Sequence, residues 1–143
     1  MAVVRAEIEI DAPPERVFDV LTDIDAYPEW NPFTPKVEST LRIGDPIHMQ
    51  VRLVGEKLMR QTEYVTHNER PHRLCWGADI GPRVLCRAER CQVLTPIEGG
   101  RTHYLCTDEI RGLLTPLVML FYGRAMKRGF EDCARALKKR VES

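Results

Sequence analysis

From Thr115 almost to Ser143 the chain carries an apolar stripe at helical spacing, and no other segment is helical enough to bundle with it. At 100° per residue, Met119, Tyr122, Gly123, Met126, Phe130, Cys133, Ala134, Leu137 and Val141 share one side. Arg124, Arg128, Glu131, Arg135, Lys138 and Lys139 fall on the other. Thr115 is placed to cap this helix with Pro116 as its first residue, and Lys138-Lys139-Arg140 suits the negative end of the helix dipole. At about 1.5 Å per residue the helix is nearly 40 Å long, enough to cross a whole small sheet. Its apolar stripe therefore needs a curved sheet as partner, and a sheet gripping one helix encloses a pocket.

The remaining segments supply the strands. Val4, Ala6, Ile8 and Ile10 alternate with Arg5, Glu7 and Glu9, the period of a half-buried strand. Asp11-Ala12-Pro13-Pro14 stops that strand and opens a short helix whose Val17, Phe18 and Leu21 share a side. The prolines between Asp23 and Phe33 leave room for a helical turn only. Val37, Ser39 and Leu41 form a weak strand, and Gly44-Asp45-Pro46 a turn. Ile47, Met49, Val51 and Leu53 then alternate cleanly, and Gly55-Glu56 is a tight turn. Residues 57–67 are polar for a strand, and the inward face is not assignable from pattern. Leu74, Trp76 and Ala78 share a face before Gly81-Pro82. Further strands run from Val84 to Leu94 and, after Gly99-Gly100, from Arg101 to Arg111. Short strands bracketed by helices at the two ends describe an α+β domain with a mainly antiparallel sheet, spanning residues 1–143 as one unit.

The charge balance, 21 basic against 21 acidic residues, gives no global field to attract nucleic acid. The apolar run from Leu113 to Tyr122 is interrupted by Thr115 and Pro116 and is shorter than the ~20 residues that cross a bilayer, so stable membrane insertion is not expected. The N-terminus alternates where a signal peptide would have an apolar core, so a cytoplasmic address is expected. The 5 cysteines include no CxxC pair and read as reduced core residues, not as a disulfide framework or zinc site. His48, His67, His72 and His103 show no metal spacing; no metal and no cofactor are expected.

Two stretches resemble a known superfamily. Ile10 to Asp23, followed by Tyr27-Pro28-Glu29-Trp30-Asn31-Pro32-Phe33, resembles the opening of the SRPBCC or START-like proteins, the polyketide-cyclase-like helix-grip group. Gly112-Leu113-Leu114-Thr115-Pro116-Leu117, Arg128-Gly129-Phe130-Glu131 and Ala136-Leu137-Lys138-Lys139-Arg140 resemble the closing helix of its small bacterial members. The resemblance implies a curved seven-stranded antiparallel sheet around the C-terminal helix, two short helices near the N-terminus, and a cavity between. It also implies a carboxylate on the strand before the Gly-Leu-Leu turn, where Asp108 stands.

Asp108 lies on an otherwise apolar strand face with Tyr104, Cys106 and Ile110, a setting that shifts a carboxyl or gives it a cationic partner. A hairpin centred on Gly99 puts Arg90 opposite it, on a face shared with Gln92. The two residues would form a structural ion pair, lie in solvent at the sheet edge, or orient a ligand carbonyl or hydroxyl; a shift of register by one would turn both outward. Trp30, Phe33, Met49, Trp76, Tyr104, Met119, Tyr122 and Met126 are the large groups that would line a pocket or simply fill the core. Together they favour a small hydrophobic or amphipathic ligand, lipid-like or polyketide-like. Catalysis of the cyclase or dehydratase kind is the alternative, and a protein-interaction module on the same scaffold is a third. Leu117, Leu120 and Phe121 sit on the back of the long helix. Either the Leu113-Leu114 turn and a neighbouring strand cover them, or they form an exposed patch suited to a homodimer contact, a ligand portal facing a membrane, or a partner protein.

Overall fold

A computed structural model of the chain describes residues 1–82 and 84–143, with the backbone alone for Val54. The elements in chain order are β1 (Ala2–Ile10), α1 (Pro14–Thr22), a 3₁₀ turn (Ile24–Glu29), β2 (Lys36–Ser39), β3 (Pro46–Val54), β4 (Lys57–Glu69), β5 (Arg73–Asp79), β6 (Arg87–Ile97), β7 (Arg101–Arg111) and α2 (Thr115–Glu142). The strands form one 7-stranded sheet in the order β1-β7-β6-β5-β4-β3-β2, antiparallel at every pairing. Strands β2 to β7 are thus a simple meander, and β1 closes onto the free edge of β7.

Register shifts between Val51 and Val54 and between Val65 and His67 insert the irregularities that let a sheet bend. The concave face so formed receives α2. Phe130, Cys133, Ala134, Leu137 and Val141 are buried there, against Val4, Ala6 and Ile10 of β1 and Val17, Phe18 and Leu21 of α1. Polar ties hold the helix in place. Lys127 Nζ donates to the Arg5 carbonyl at 2.9 Å, and Lys138 Nζ to the Glu9 carbonyl at 2.8 Å. Arg16 donates from Nε and Nη2 to the Val141 carbonyl at 3.0 and 2.8 Å, satisfying an acceptor that the helix C-terminus would leave open.

Several local expectations shift. Thr115 is already helical and the position before it is Leu114; among the described residues no side chain caps the helix and the buried Thr115 hydroxyl has no hydrogen-bond partner. The turn instead hangs from backbone bonds, Leu113 N to Val84 O at 2.9 Å and Leu114 N to Leu85 O at 2.8 Å. Those bonds draw Val84 out of the strand, so β6 begins at Arg87 and Val84 is exposed. Leu41 is buried, but from a left-handed turn position after β2. The cysteine reading is corrected at one pair. Cys75 and Cys91 stand opposite each other on β5 and β6 with Cα atoms 4.2 Å apart and are joined as a disulfide, whereas Cys86, Cys106 and Cys133 are free and buried. Directly opposed residues of an antiparallel pair come close enough for the bond, a proximity that spacing along the chain does not show. Among the described residues no helix is long and apolar enough to cross a membrane.

Candidate functional site

Between the concave face and the N-terminal half of α2 lies a cavity of about 420 Å³. Every strand from β3 to β7 contributes to its wall. Met49 and Val51 come from β3, Met59, Gln61 and Glu63 from β4, Trp76 and Ala78 from β5, Ala88 and Arg90 from β6, and Asp108 and Ile110 from β7. Helix α2 supplies Val118, Tyr122, Met126 and Phe130, and the loop before β2 supplies Phe33. Phe33 is fixed by its neighbours: Asn31 Oδ1 accepts from the Phe33 and Thr34 amides at 3.1 and 2.9 Å, and the Phe33 carbonyl accepts from the Arg52 amide at 2.8 Å. Its ring meets Phe130 edge-on at 5.3 Å and lies so close to Gly129 that a Cβ there would stand 2.1 Å from ring atom Cδ1.

Of the residues singled out in the sequence, the structure brings Phe33, Met49, Trp76, Arg90, Asp108, Tyr122 and Met126 together on this wall. Trp30, Gln92, Tyr104 and Met119 lie outside it, which corrects their assignment to the lining. Tyr104 and Gln92 face inward as expected but are sealed in the core, the Tyr104 hydroxyl donating to Gln92 Oε1 at 2.8 Å. Trp30 packs edge-on against Tyr27 at 5.1 Å, and Met119 lies along Gly123 of its own helix.

The Arg90 and Asp108 pairing holds in register, with Cα atoms opposite each other. An ion pair does not follow from it. Arg90 leans along β7, donating from Nε to Cys106 Sγ at 3.3 Å and from Nη2 to Cys133 Sγ at 3.9 Å, with its guanidinium 4.6 Å from the Phe130 ring centre. Asp108 is left with Oδ1 buried and without a hydrogen-bond partner among the described residues. Burial pushes its carboxyl up to about 7 against the opposing pull of Arg90, with Glu89 adding to the rise. Glu63, on the facing part of the wall, is also pushed up to about 7, first by burial and then by Asp108, with Arg90 opposing. Two carboxyl groups in one apolar cavity therefore titrate near neutrality, and each makes ionisation of the other harder.

Glu63 is the residue that pattern reading missed. On β4, Leu58 and Tyr64 are exposed while Gln61 and Glu63 face inward with Met59 and Val65, so hydropathy marks neither face. The available signal was the clean strand before it: β3 places Met49 opposite Gln61 and Ile47 opposite Glu63. On the back of α2, the patch is exposed. Leu117, Leu120 and Phe121 are 52%, 75% and 70% accessible, beside the wall residues Val118 and Tyr122. Among the described residues no group of three or more His, Cys, Asp or Glu is placed to hold a metal ion.

The sequence profile of the family described as polyketide cyclase / dehydrase and lipid transport matches residues 1–142. Steroidogenic acute regulatory protein, mitochondrial, from Equus caballus is 25% identical over 162 residues; the match takes in 99% of this chain and 56% of that protein, so the chain spans about half the length of this relative. A START superfamily protein from Mycobacterium smegmatis superposes with a TM-score of 0.75 at 19% identity, covering 98% of this chain and 97% of its own. The Zhui aromatase/cyclase from Streptomyces sp. R1128 does so with a TM-score of 0.75 at 19% identity, covering 99% and 93%. At such identities these structures share the fold.

Proposed function

Because the chain belongs to the polyketide cyclase / dehydrase and lipid transport family, we propose that residues 1–143 act as one domain that binds a small hydrophobic or amphipathic molecule in the cavity under α2. The observation that carries this reading is the cavity itself: about 420 Å³ with aromatic, Met and aliphatic walls and a few polar groups, the form small-molecule sites take. A lipid-like or polyketide-like molecule suits such walls. A cytoplasmic setting is part of the proposal.

Ala88→Phe tests it, since this side chain would project into the hollow from β6. A neutral fluorescent probe such as N-phenyl-1-naphthylamine is expected to bind the natural protein and to be lost from the variant, while both keep the same strand signature in circular dichroism. Undiminished probe binding by the folded variant would place the ligand elsewhere.

A second reading, cyclase-type catalysis, is favoured by one observation: Asp108 and Glu63 share the wall and both titrate at about 7. A general base works best with a pKa near the working pH. The ionised member could take a proton from the carbon beside a carbonyl while the neutral member donates a hydrogen bond to that carbonyl oxygen, leaving an enolate. Deuterium exchange into a β-keto ester, measured with the natural protein and with Asp108→Asn, distinguishes carriage from catalysis: equal background rates leave carriage alone.

A further inference from the structure

Arg90 is not explained by carriage of an apolar molecule. It is 7% exposed, and its guanidinium faces three aromatic rings, Phe130 at 4.6 Å and Phe33 and Trp76 at 5.6 Å each. A guanidinium stays charged, and a charge taken out of water needs an ionised partner or a full set of hydrogen bonds. Here its hydrogen bonds go to the thiols Cys106 and Cys133, which are weak acceptors for a group with five N–H donors. The ring faces stabilise the cation but accept no directed bond from its fork. On the same wall stands Asp108, whose Oδ1 is buried and has no hydrogen-bond partner among the described residues, with Glu63 beyond it. A cationic fork and an orphaned carboxyl thus face one apolar hollow without touching each other.

We propose that the molecule held in this cavity is a lipophilic carboxylic acid whose carboxylate pairs with Arg90 and whose apolar body lies against Trp76, Met49 and the Tyr122–Met126 face of α2. This rests on the cavity-binding reading above. A carboxylate matches the planar fork with two parallel bonds, which a hydroxyl or ketone cannot do. Asp108, when protonated, donates to the second oxygen of the same head group and so gains the partner it lacks. A doubly charged phosphate is a poorer match, because the two acidic side chains beside it resist further negative charge.

The titratable groups around Arg90 and its ligand are Glu63 from β4, Asp79 from β5, Cys86 before β6, Tyr104, Cys106 and Asp108 from β7, Tyr122 and Cys133 from α2 and Tyr27 from the 3₁₀ turn, while Glu89 lies on the opposite sheet face, bonded by Thr66, and acts only through its charge. Burial raises Tyr27, Tyr104, Cys86 and Cys133, so these stay neutral near pH 7. Asp108 and Glu63 are the groups whose charge changes there, and their ionisation on raising the pH weakens anion binding.

Calorimetric titration of the full chain with decanoate against decan-1-ol, and with 2-naphthoate against 2-naphthalenemethanol, tests this. At about pH 6 each acid is expected to bind at least about tenfold more tightly than its alcohol, the difference a charge-assisted pair supplies, and the ratio should fall by about pH 8. Arg90→Met is expected to bring acid and alcohol within about twofold of each other. If that variant fails to fold, the comparison in the natural protein decides alone. Alcohols binding as tightly as the acids would overturn the carboxylate assignment and leave the cavity reading standing. Binding of neither series would overturn both.

Discussion

Asp108 and Glu63 are carboxyl groups in a place that suits neither as an anion. Each has a folded-state pKa of about 7, above the ordinary carboxylate value. The folded state then holds protons that the unfolded chain has released, so stability falls as pH rises. The penalty is absent below about pH 4, grows through the interval, and is complete above about pH 7. Asp108→Asn should therefore stabilise the protein by a few kcal/mol more at about pH 8 than at about pH 4, read from urea unfolding at both. An equal effect at the two pH values would mean that Asp108 is not held neutral by the fold. Asp108 was readable in advance because it interrupts a regular apolar face beside Tyr104, Cys106 and Ile110. Glu63 was not, because β4 mixes apolar and polar side chains on both faces: Met59 and Val65 point inward with Gln61 and Glu63, and Leu58 and Tyr64 are exposed with Arg60.

Helix α2 shows how one element divides its side chains by surroundings. Its inner stripe from Gly123 to Val141 is buried as its period demands, and its first turns leave Leu117, Leu120 and Phe121 uncovered. The Leu113-Leu114 turn covers none of them, since its backbone is committed to Val84 and Leu85. Identical residue types should therefore differ in cost. Phe130→Ala is expected to lose about 3–5 kcal/mol, and Phe121→Ala to stay within about 0.5 kcal/mol of the natural protein. Thermal or urea unfolding of the two variants checks this; a large loss at Phe121 would mean that the patch is covered in solution. The turn itself is held by Gly112, whose φ of +111° and whose Cβ position, 2.5 Å from the Leu85 carbonyl oxygen, admit no larger side chain. Gly112→Ala should cost at least about 2 kcal/mol, and amides of the first turn of α2 should exchange faster with solvent.

At the scale of the whole molecule, the cavity exists because the bent sheet touches α2 firmly at β1 and leaves a gap over β4 to β6. A ligand filling that gap adds contacts available only in the native state. At a free concentration about a hundred times its dissociation constant it should raise stability by ~2.7 kcal/mol, seen as a higher melting temperature. The gain should vanish in Ala88→Phe.

How the chain divides into elements could be read without coordinates, because period and punctuation are local: alternation in β1 and β3, Pro14 at a helix start, the stripe of α2, the Gly99 hairpin that sets Arg90 opposite Asp108. Side-chain partners could not. Arg90 reaches Cys133 on α2 across a separation of 43 residues, Cys75 meets Cys91 on the neighbouring strand, and Tyr104 seals itself to Gln92 away from the hollow. Register settles which Cα atoms face each other, but the curvature of the sheet and the packing of α2 decide where a long side chain ends. The cavity, its buried guanidinium and its carboxyl groups held near neutrality are therefore properties of the tertiary structure.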